Sequence, residues 1–381
     1  MVLLIETRGN ARERGVQQGE QLKEHIQAAK KAVFHSEIFK EAKPSFIPLS
    51  IAVGALGLMA KGRIKPYVEQ FPRQNDKLLG IAEGAGLGAK LVYGMNFIEV
   101  MAGNPRTSYT RPLIQPACSM IFALPDATID GEILYGRNYD FPGVLQPYQM
   151  VRRETPDDGA FKTITLTQYP IVGAHIGLNE KGVVIGYNYG RSWKTNPLDY
   201  RPKGLPSMIA LQEALETCSS TQEVIDFITK LSIRATGAHY GVLDETGDAC
   251  VIETTATRFS IRRPEKGILV HTNMYQDLID ANVPDDVMYK YKGQELPYVR
   301  SPKERFTRAS ELLSDAIGTV TIDTIKTILS DHAGKEPDDC TICTHGKTGI
   351  TLASILVKPV EREFWVADNQ PCKTPYEKFT V

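Results

Sequence analysis

The chain has 381 residues, of which 42% are hydrophobic and 23% charged, with 44 Lys+Arg against 45 Asp+Glu. At roughly 100 to 200 residues per domain this length allows two or three domains or one large layered domain, and the composition excludes disordered, collagen-like and coiled-coil classes. A net charge of -1 leaves no overall field to hold a nucleic-acid backbone or an anionic membrane, so neither is expected as a partner.

Near the amino terminus, Val2 to Glu6 has the texture of a strand. The start lacks the basic stretch and longer apolar run of a secretory signal, which points to a cytoplasmic protein. Glu13 to Val33 is polar with apolar residues at helical spacing, and Arg73 to Ala82 repeats the pattern before the Gly-rich segment Glu83-Gly84-Ala85-Gly86-Leu87-Gly88. That segment does not follow a strand, so it is no dinucleotide cradle. Between these helices, the apolar stretch Phe46 to Ala60 is broken by Pro48, Ser50 and Gly54. It falls short of the roughly 18 to 20 apolar residues that span a bilayer. Two uses suit it: a buried helix packing the first third onto the rest, or the lining of a pocket for an apolar group.

At Cys118 the texture changes. Cys118 to Leu124 and Glu132 to Asn138 read as strands around a turn marked by Pro125-Asp126 and Asp130-Gly131. Strands follow at Ile164 to Thr167, Ala174 to Leu178 and Val183 to Tyr189. Helices are expected over Ser207 to Leu215 and after the capping pattern Ser220-Thr221-Gln222-Glu223. Strands resume at Tyr240 to Asp244, Ala249 to Glu253, Phe259 to Arg262 and Gly267 to Val270. Two more helices, Lys303 to Leu313 and Ile322 to Leu329, precede strands at Ile350 to Val357 and Glu363 to Ala367. Blocks of strands alternating with blocks of helices do not suit a doubly wound sheet; two antiparallel sheets packed face to face between helices, an α+β class, fit better.

Six cysteines are too few for a disulfide scaffold and suit a reducing compartment. Cys340-Thr341-Ile342-Cys343 is the only CxxC, and zinc would need two more ligands, for which His332 and His345 are nearest. A strand carrying two small residues is the plainer reading, and no metal is assigned. Charge is uneven along the chain: residues 1–117 hold 16 Lys+Arg and 10 Asp+Glu, net +6, and the remainder 28 and 35, net -7. Two such pieces would attract each other if the chain were cut between them, with screening beyond about 8 Å at surface sites.

A hairpin centred on residue 129 sets Cys118 opposite Asp140, and Arg137 lies three residues back. A thiol, a carboxylate and a guanidinium thus meet at one end of one hairpin. Nucleophiles of this kind normally take a histidine as base, and none of the seven histidines lies in a motif that suggests one. If the bond before Cys118 were cut, the freed α-amine, with a reference pKa of roughly 7.7 to 8.0, would serve as a base built into the nucleophile's own residue.

The whole chain resembles the acyl-coenzyme A:6-aminopenicillanic-acid acyltransferase family of N-terminal-nucleophile (Ntn) hydrolases, distant relatives of the choloylglycine hydrolases and penicillin V acylases. The resemblance runs through Gly9-Asn10-Ala11-Arg12-Glu13-Arg14-Gly15, Gly80-Ile81-Ala82-Glu83-Gly84, Cys118-Ser119, Gly136-Arg137-Asn138-Tyr139-Asp140-Phe141, Gly177-Leu178-Asn179-Glu180-Lys181-Gly182 with Tyr187-Asn188-Tyr189, His271-Thr272-Asn273 and Ile350-Thr351-Leu352. It implies a four-layer αββα sandwich and autocatalytic cleavage between Ala117 and Cys118 into an α piece, 1–117, and a β piece, 118–381, held together as a heterodimer. It also implies roles: Cys118 as nucleophile, Asp140 as the carboxylate that binds the new amine, Arg137 as the charge that lowers the thiol pKa. Asn273 would be a side-chain oxyanion donor, Asn188 the site of a backbone donor, and Arg305 a further active-site arginine.

Two positions depart from the family pattern. Ala117 stands where the acyltransferases usually have Gly, and Thr348 replaces an arginine that the penicillin acyltransferases carry before their counterpart of Gly349. The second bears on penicillin-specific activity and leaves the shared mechanism intact. The expected activity is that of an amidohydrolase acting through a thioester on a small N-acyl substrate. The alternatives are an N-acyltransferase with a coenzyme A thioester as co-substrate and an uncleaved binding scaffold; no cofactor is expected otherwise.

Overall fold

A computed structural model describes residues 2–35, 48–97, 100, 117–190, 192–193, 199–285, 289–291, 294–296, 299–346 and 349–381. The chain begins with strand β1 (Leu4–Gly9) and helices α1 (Ala11–Gln21) and α2 (Lys23–His35), followed by α3 (Leu49–Val68), α4 (Pro72–Gly84) and α5 (Ala89–Asn96). The single helix expected over Glu13 to Val33 is thus two, divided at Leu22. Asn10 starts α1 with a reciprocal cap: its side chain accepts from the Glu13 amide while Glu13 accepts from the Asn10 amide.

From Ala117 the chain builds two sheets. Strands β2 (Ala117–Ala123), β3 (Leu134–Phe141), β11 (Ile268–His271), β14 (Ile350–Lys358), β15 (Glu363–Ala367) and β16 (Glu377–Thr380) form a six-stranded sheet in the order β11-β2-β3-β14-β15-β16. The eight-stranded sheet runs from β1 through β4 (Gln149–Pro156), β5 (Thr163–Gln168), β6 (Ile176–Asn179), β7 (Val184–Gly190), β8 (Gly237–Leu243) and β9 (Ala249–Thr254) to β10 (Phe259–Arg262). A small pair, β12 (Tyr289–Tyr291) and β13 (Gln294–Leu296), lies apart. Helices α6 (Ser207–Thr217), α7 (Thr221–Lys230), α8 (Arg300–Asp315) and α9 (Ile322–Leu329) follow among the described residues.

Three apolar clusters define four layers. One joins Tyr187, Tyr240 and Ile252 of the eight-stranded sheet to Leu78, Ile81, Ile209 and Val224 of the helices outside it. A second fills the space between the sheets, with Met120, Phe122 and Tyr135 facing Val151, Leu166 and Val184. The third packs Ile121, Leu134 and Leu356 against Leu313, Ile325 and Leu329 of α8 and α9. This is an αββα sandwich. It departs from purely antiparallel sheets at one pair: β1 runs parallel to β4, Leu4 to Gly9 matching Val151 to Pro156. A parallel partner needs a long crossover, and the amino-terminal helices together with β2 and β3 lie within it.

The apolar stretch Phe46 to Ala60 falls largely in α3, with residues 46 and 47 outside the described set. Ala60, Ile64 and Val68 enter the core, while Ile51 and Leu58 stay exposed. No helix among the described residues is long and apolar enough to cross a membrane.

Helices α1 and α4 pack backbone to backbone. A Cβ on Gly15 would lie 2.2 Å from the Lys77 carbonyl oxygen, and one on Gly84 2.1 Å from that of Val16. This close crossing accounts for the glycines in both amino-terminal motifs, and it carries Arg14 and Lys77 beneath the helices. There Lys77 Nζ lies 3.0 Å from Glu154 and bonds Glu216, while Arg14 Nη1 lies 3.2 Å from Asp158 and its Nε 3.4 Å from Glu154. Arg152 adds a 3.2 Å contact to Glu154. Basic residues of 1–117 thus meet acidic residues of the rest in a buried cluster between them.

Breaking one member of a buried ion cluster costs about 3–5 kcal/mol, because a charge is left unpaired in a dry layer. Lys77→Met should show that loss in denaturant unfolding. Burial alone would raise the Glu154 carboxyl, but Arg152, Lys77 and Arg14 hold it down at about 2, from an ordinary 4.5. A depressed acid stabilises the fold above its unfolded pKa, so Glu154 should lose its contribution only as pH falls from about 4.5 through about 2. Comparing parent and Glu154→Gln unfolding across that window measures it.

Candidate active site

Cys118 is the second residue of β2, and antiparallel pairing fixes what it faces. The register matches Ala117 with Asp140, Cys118 with Tyr139 and Met120 with Arg137. This is one residue away from the symmetric hairpin. The connection is not a tight turn: Ala127 and Thr128 amides fold back on the Leu124 carbonyl, Ile129 bonds Val320, and Gly131 takes φ +70°. Side chains alternate across a strand, so the slip moves Asp140 to the other face of the sheet. Cys118, Arg137 and Tyr139 point between the sheets; Ser119, Asn138 and Asp140 point toward α8 and α9.

Between the sheets, Arg137 Nη2 lies 3.4 Å from Cys118 Sγ. The guanidinium is fixed by the Tyr187 carbonyl and by Asn188 Oδ1 at 3.4 Å, both on β7 of the opposite sheet. Gly186 makes this approach feasible: a Cβ there would lie 2.0 Å from Tyr135 Oη and 3.3 Å from Arg137 Cδ. Burial pushes the Cys118 thiol above its ordinary value, against the opposing charges of Arg137 and Arg305. Among the described residues no histidine hydrogen-bonds this thiol.

Side chains satisfy both backbone groups of Cys118. Strand β11 ends at His271 opposite Met120, so Asn273 takes over where the ladder stops: its Oδ1 accepts the Cys118 amide at 2.6 Å and its Nδ2 donates to the Tyr189 carbonyl at 3.0 Å. The Cys118 carbonyl accepts from Arg305 Nη1 at 2.6 Å and from Asn188 Nδ2 at 3.4 Å. Arg305 is itself held by Ser301, one helical turn earlier, by Ser119 and by Asn273 Oδ1. Asp140 sits beyond, accepting from Thr351 at 2.6 Å and Thr344 at 3.5 Å. Burial raises its carboxyl to about 6 despite the nearby Arg305 and Arg137.

The structure thus gathers Cys118, Arg137, Asn188, Asn273 and Arg305 around one residue, with Asp140 on the reverse side and Ala117 at its strand partner. Asn188 contributes its side chain here, and Asn273 presents its carbonyl oxygen to the Cys118 nitrogen. Ser119, Ser301, Thr344 and Thr351 were not singled out as site residues; only Ser301, at i-4 from Arg305 on a helix, left a spacing signal in the sequence. Thr348 lies outside the described residues.

A cleft of about 480 Å³ opens at Asn273, lined by Met274, Tyr275, Ile279, Val283 and Pro302. Its loop is anchored by the buried Glu253 carboxylate, which accepts the amides of Gln276, Asp277 and Leu278 at 2.6, 3.1 and 3.2 Å. No described residue of the stretch 46–60 lines this cleft.

A buried thiol beside a guanidinium, on strand β2 of the six-stranded sheet of an αββα sandwich, defines a class of cysteine-centred sites. The chain belongs to the acyl-coenzyme A:6-aminopenicillanic acid acyl-transferase family, whose model matches residues 127–373. That match contains Arg137, Asp140, Asn188, Asn273 and Arg305 and begins after Cys118. The acyl-coenzyme A:6-aminopenicillanic-acid-acyltransferase 40 kDa form of Emericella nidulans is 24% identical over 317 residues, 82% of this chain and 79% of that protein. An uncharacterized protein of Archaeoglobus fulgidus is 25% identical over 234 residues, 57% of this chain; the match spans only 38% of its length. Among solved structures, the Caenorhabditis elegans ortholog of N-acylethanolamine-hydrolyzing acid amidase aligns with a TM-score of 0.47 at 15% identity, over 69% of this chain and 100% of that one.

Because the folded state raises the Asp140 pKa from 3.8 to about 6, ionising it destabilises the fold increasingly across that interval and fully above it. Asp140→Asn should match the parent near pH 4. It should unfold later at pH 8, by up to about 3 kcal/mol.

Proposed function

We propose that this chain is a self-processing N-terminal-cysteine amidohydrolase that cuts itself between Ala117 and Cys118. It then hydrolyses the amide of an N-acylated small molecule or short peptide. The reading rests on one observation: Cys118 carries a thiol 3.4 Å from a buried guanidinium while side chains, not the sheet, hold its amide and carbonyl. A residue held that way keeps its position when the bond before it is broken.

In processing, Cys118 Sγ attacks the Ala117 carbonyl carbon, the C–N bond to Cys118 breaks, and the thiol proton passes to the departing nitrogen. Water then cleaves the thioester, leaving an Ala117 carboxylate and a restored thiol. In turnover the new α-amine takes the thiol proton, the thiolate attacks the substrate carbonyl, and the amine returns the proton to the leaving amine; water then cleaves the thioester, releasing the acyl group as an acid and restoring the thiol. Arg137 supports the thiolate through its charge. Asn273 Oδ1, 2.6 Å from the nitrogen that becomes the amine, orients it. Arg305 holds the Cys118 carbonyl so that the thiol stays aimed. In the uncut chain Cys118 is only 2% exposed, so cleavage also opens the nucleophile to the cleft at Asn273. The α and β pieces remain a heterodimer through the buried ion cluster.

The relative from Emericella nidulans favours a second reading, transfer of the acyl group from a coenzyme A thioester to an amine. Hydrolysis and transfer use the same residues, and adding amine acceptors to a single-turnover assay separates them by product.

Mass spectrometry of the purified protein should find two pieces, 1–117 and 118–381, and Cys118→Ala should leave one chain; processing that survives this change would remove Cys118 from the mechanism. For the mature enzyme, kcat/KM on N-acyl amines should rise with pH through roughly 6 to 8 as the α-amine loses its proton. A flat profile would exclude the amine as base.

A further inference from the structure

Behind Asp140 the chain assembles a second group of chemically active side chains. His332 follows α9, Cys343 and His345 lie in the loop before β14, and Cys372 comes from the turn between β15 and β16. Their ligand atoms all lie within 4.8 Å of one another. Cys343 Sγ is 3.6 Å from Cys372 Sγ and 3.4 Å from His345 Nε2, and His345 Nε2 is 3.2 Å from Cys372 Sγ. His332 Nε2 is buried without a hydrogen-bond partner, and its ring stands 5.1 Å from that of His345, nearly perpendicular to it.

Zinc bonds of about 2.3 Å to sulfur and about 2.0–2.1 Å to nitrogen give a tetrahedron whose edges are roughly 3.3 to 3.8 Å. The three measured edges sit at or just under that range, and the fourth donor is a buried imidazole nitrogen with nothing else to bind. Two thiols and two imidazoles are also the donor set that selects zinc over hard cations. We propose that His332, Cys343, His345 and Cys372 form a structural zinc site. On binding, the two thiols lose their protons to solvent, and two thiolates neutralise the dication.

The CxxC of the sequence contributes only one of these ligands. Residues 340–343 form turns and bends rather than a strand, and the Cys340 thiol faces Arg300 instead. The remaining ligand, Cys372, arrives through the β14–β15 hairpin. The site closes loop 331–346 onto the turn after β15, and the residue between two of its ligands reaches the active site. The Thr344 amide donates to Thr351 Oγ1 at 2.9 Å, and Thr351 Oγ1 donates to Asp140 Oδ1 at 2.6 Å. The metal would thereby hold the support of Asp140 from behind, whether or not the chain cuts itself.

The test uses the full-length protein purified under reducing conditions from zinc-supplemented cells. Metal analysis should give about one zinc per chain that survives gel filtration with a weak chelator, as structural sites do. Cys372→Ser, at an exposed position where the fold tolerates change, should abolish that zinc, and Cys340→Ser should retain it. Cobalt(II) added to metal-stripped protein should give the strong visible absorption of a tetrahedral thiolate site. Zinc-free protein with no cobalt spectrum would overturn the proposal. So would zinc retained by Cys372→Ser, or a Cys343–Cys372 disulfide in the reduced preparation.

Discussion

Glu154 and Glu216 place negative charge in a layer that excludes water, and the rest of the molecule is arranged to answer it. An unpaired carboxylate there would cost several kcal/mol. Arg14, Lys77 and Arg152 surround the pair, and Gln74 and Gln212 donate to the same oxygens. Arg14 and Lys77 reach that layer only because α1 and α4 cross with no side chains between their backbones. One electrostatic demand therefore fixes how helices α1 and α4 sit on the eight-stranded sheet.

Elements whose burial follows their own residues were legible. Strand Glu363–Ala367 and helix Ile322–Leu329 occur with the bounds that alternation and helical spacing give. The strand Gln149–Pro156 was missed for a physical reason. Its Arg152 and Glu154 read as solvent-facing charges, yet both are buried because their partners come from Gln18, Lys77 and Gln212, all far away in sequence. Edge strand Glu377–Thr380 is short and polar, and it exists because β15 offers it a partner.

The site was legible unevenly as well. The hairpin of β2 and β3 could be read, but its register depended on a ten-residue connection whose backbone bonds run to Val320, which no local rule reveals. That single-residue slip separates two networks on opposite faces of one strand pair: thiol and Arg137 between the sheets, Asp140 with its threonine hydroxyls on the helix side. Arg305 links them, touching the Cys118 carbonyl while its charge reaches Asp140. The hairpin singled out Cys118, Arg137 and Asp140 and the resemblance added Arg305; only the fold could supply which face each one occupies.

Strand β1 belongs to the segment before Cys118 but is hydrogen-bonded into the sheet that follows it, covering the outer side of β4 along six residue pairs. If the two pieces were made separately, the larger would present β4 as an open strand edge, an invitation to pair with another copy of itself. Synthesis as one chain avoids this, since the covering strand is made first and is present when β4 emerges. The amino-terminal segment thus acts as a built-in edge guard. Recombining independently produced pieces should be limited by aggregation of the larger one rather than by loss of affinity between them.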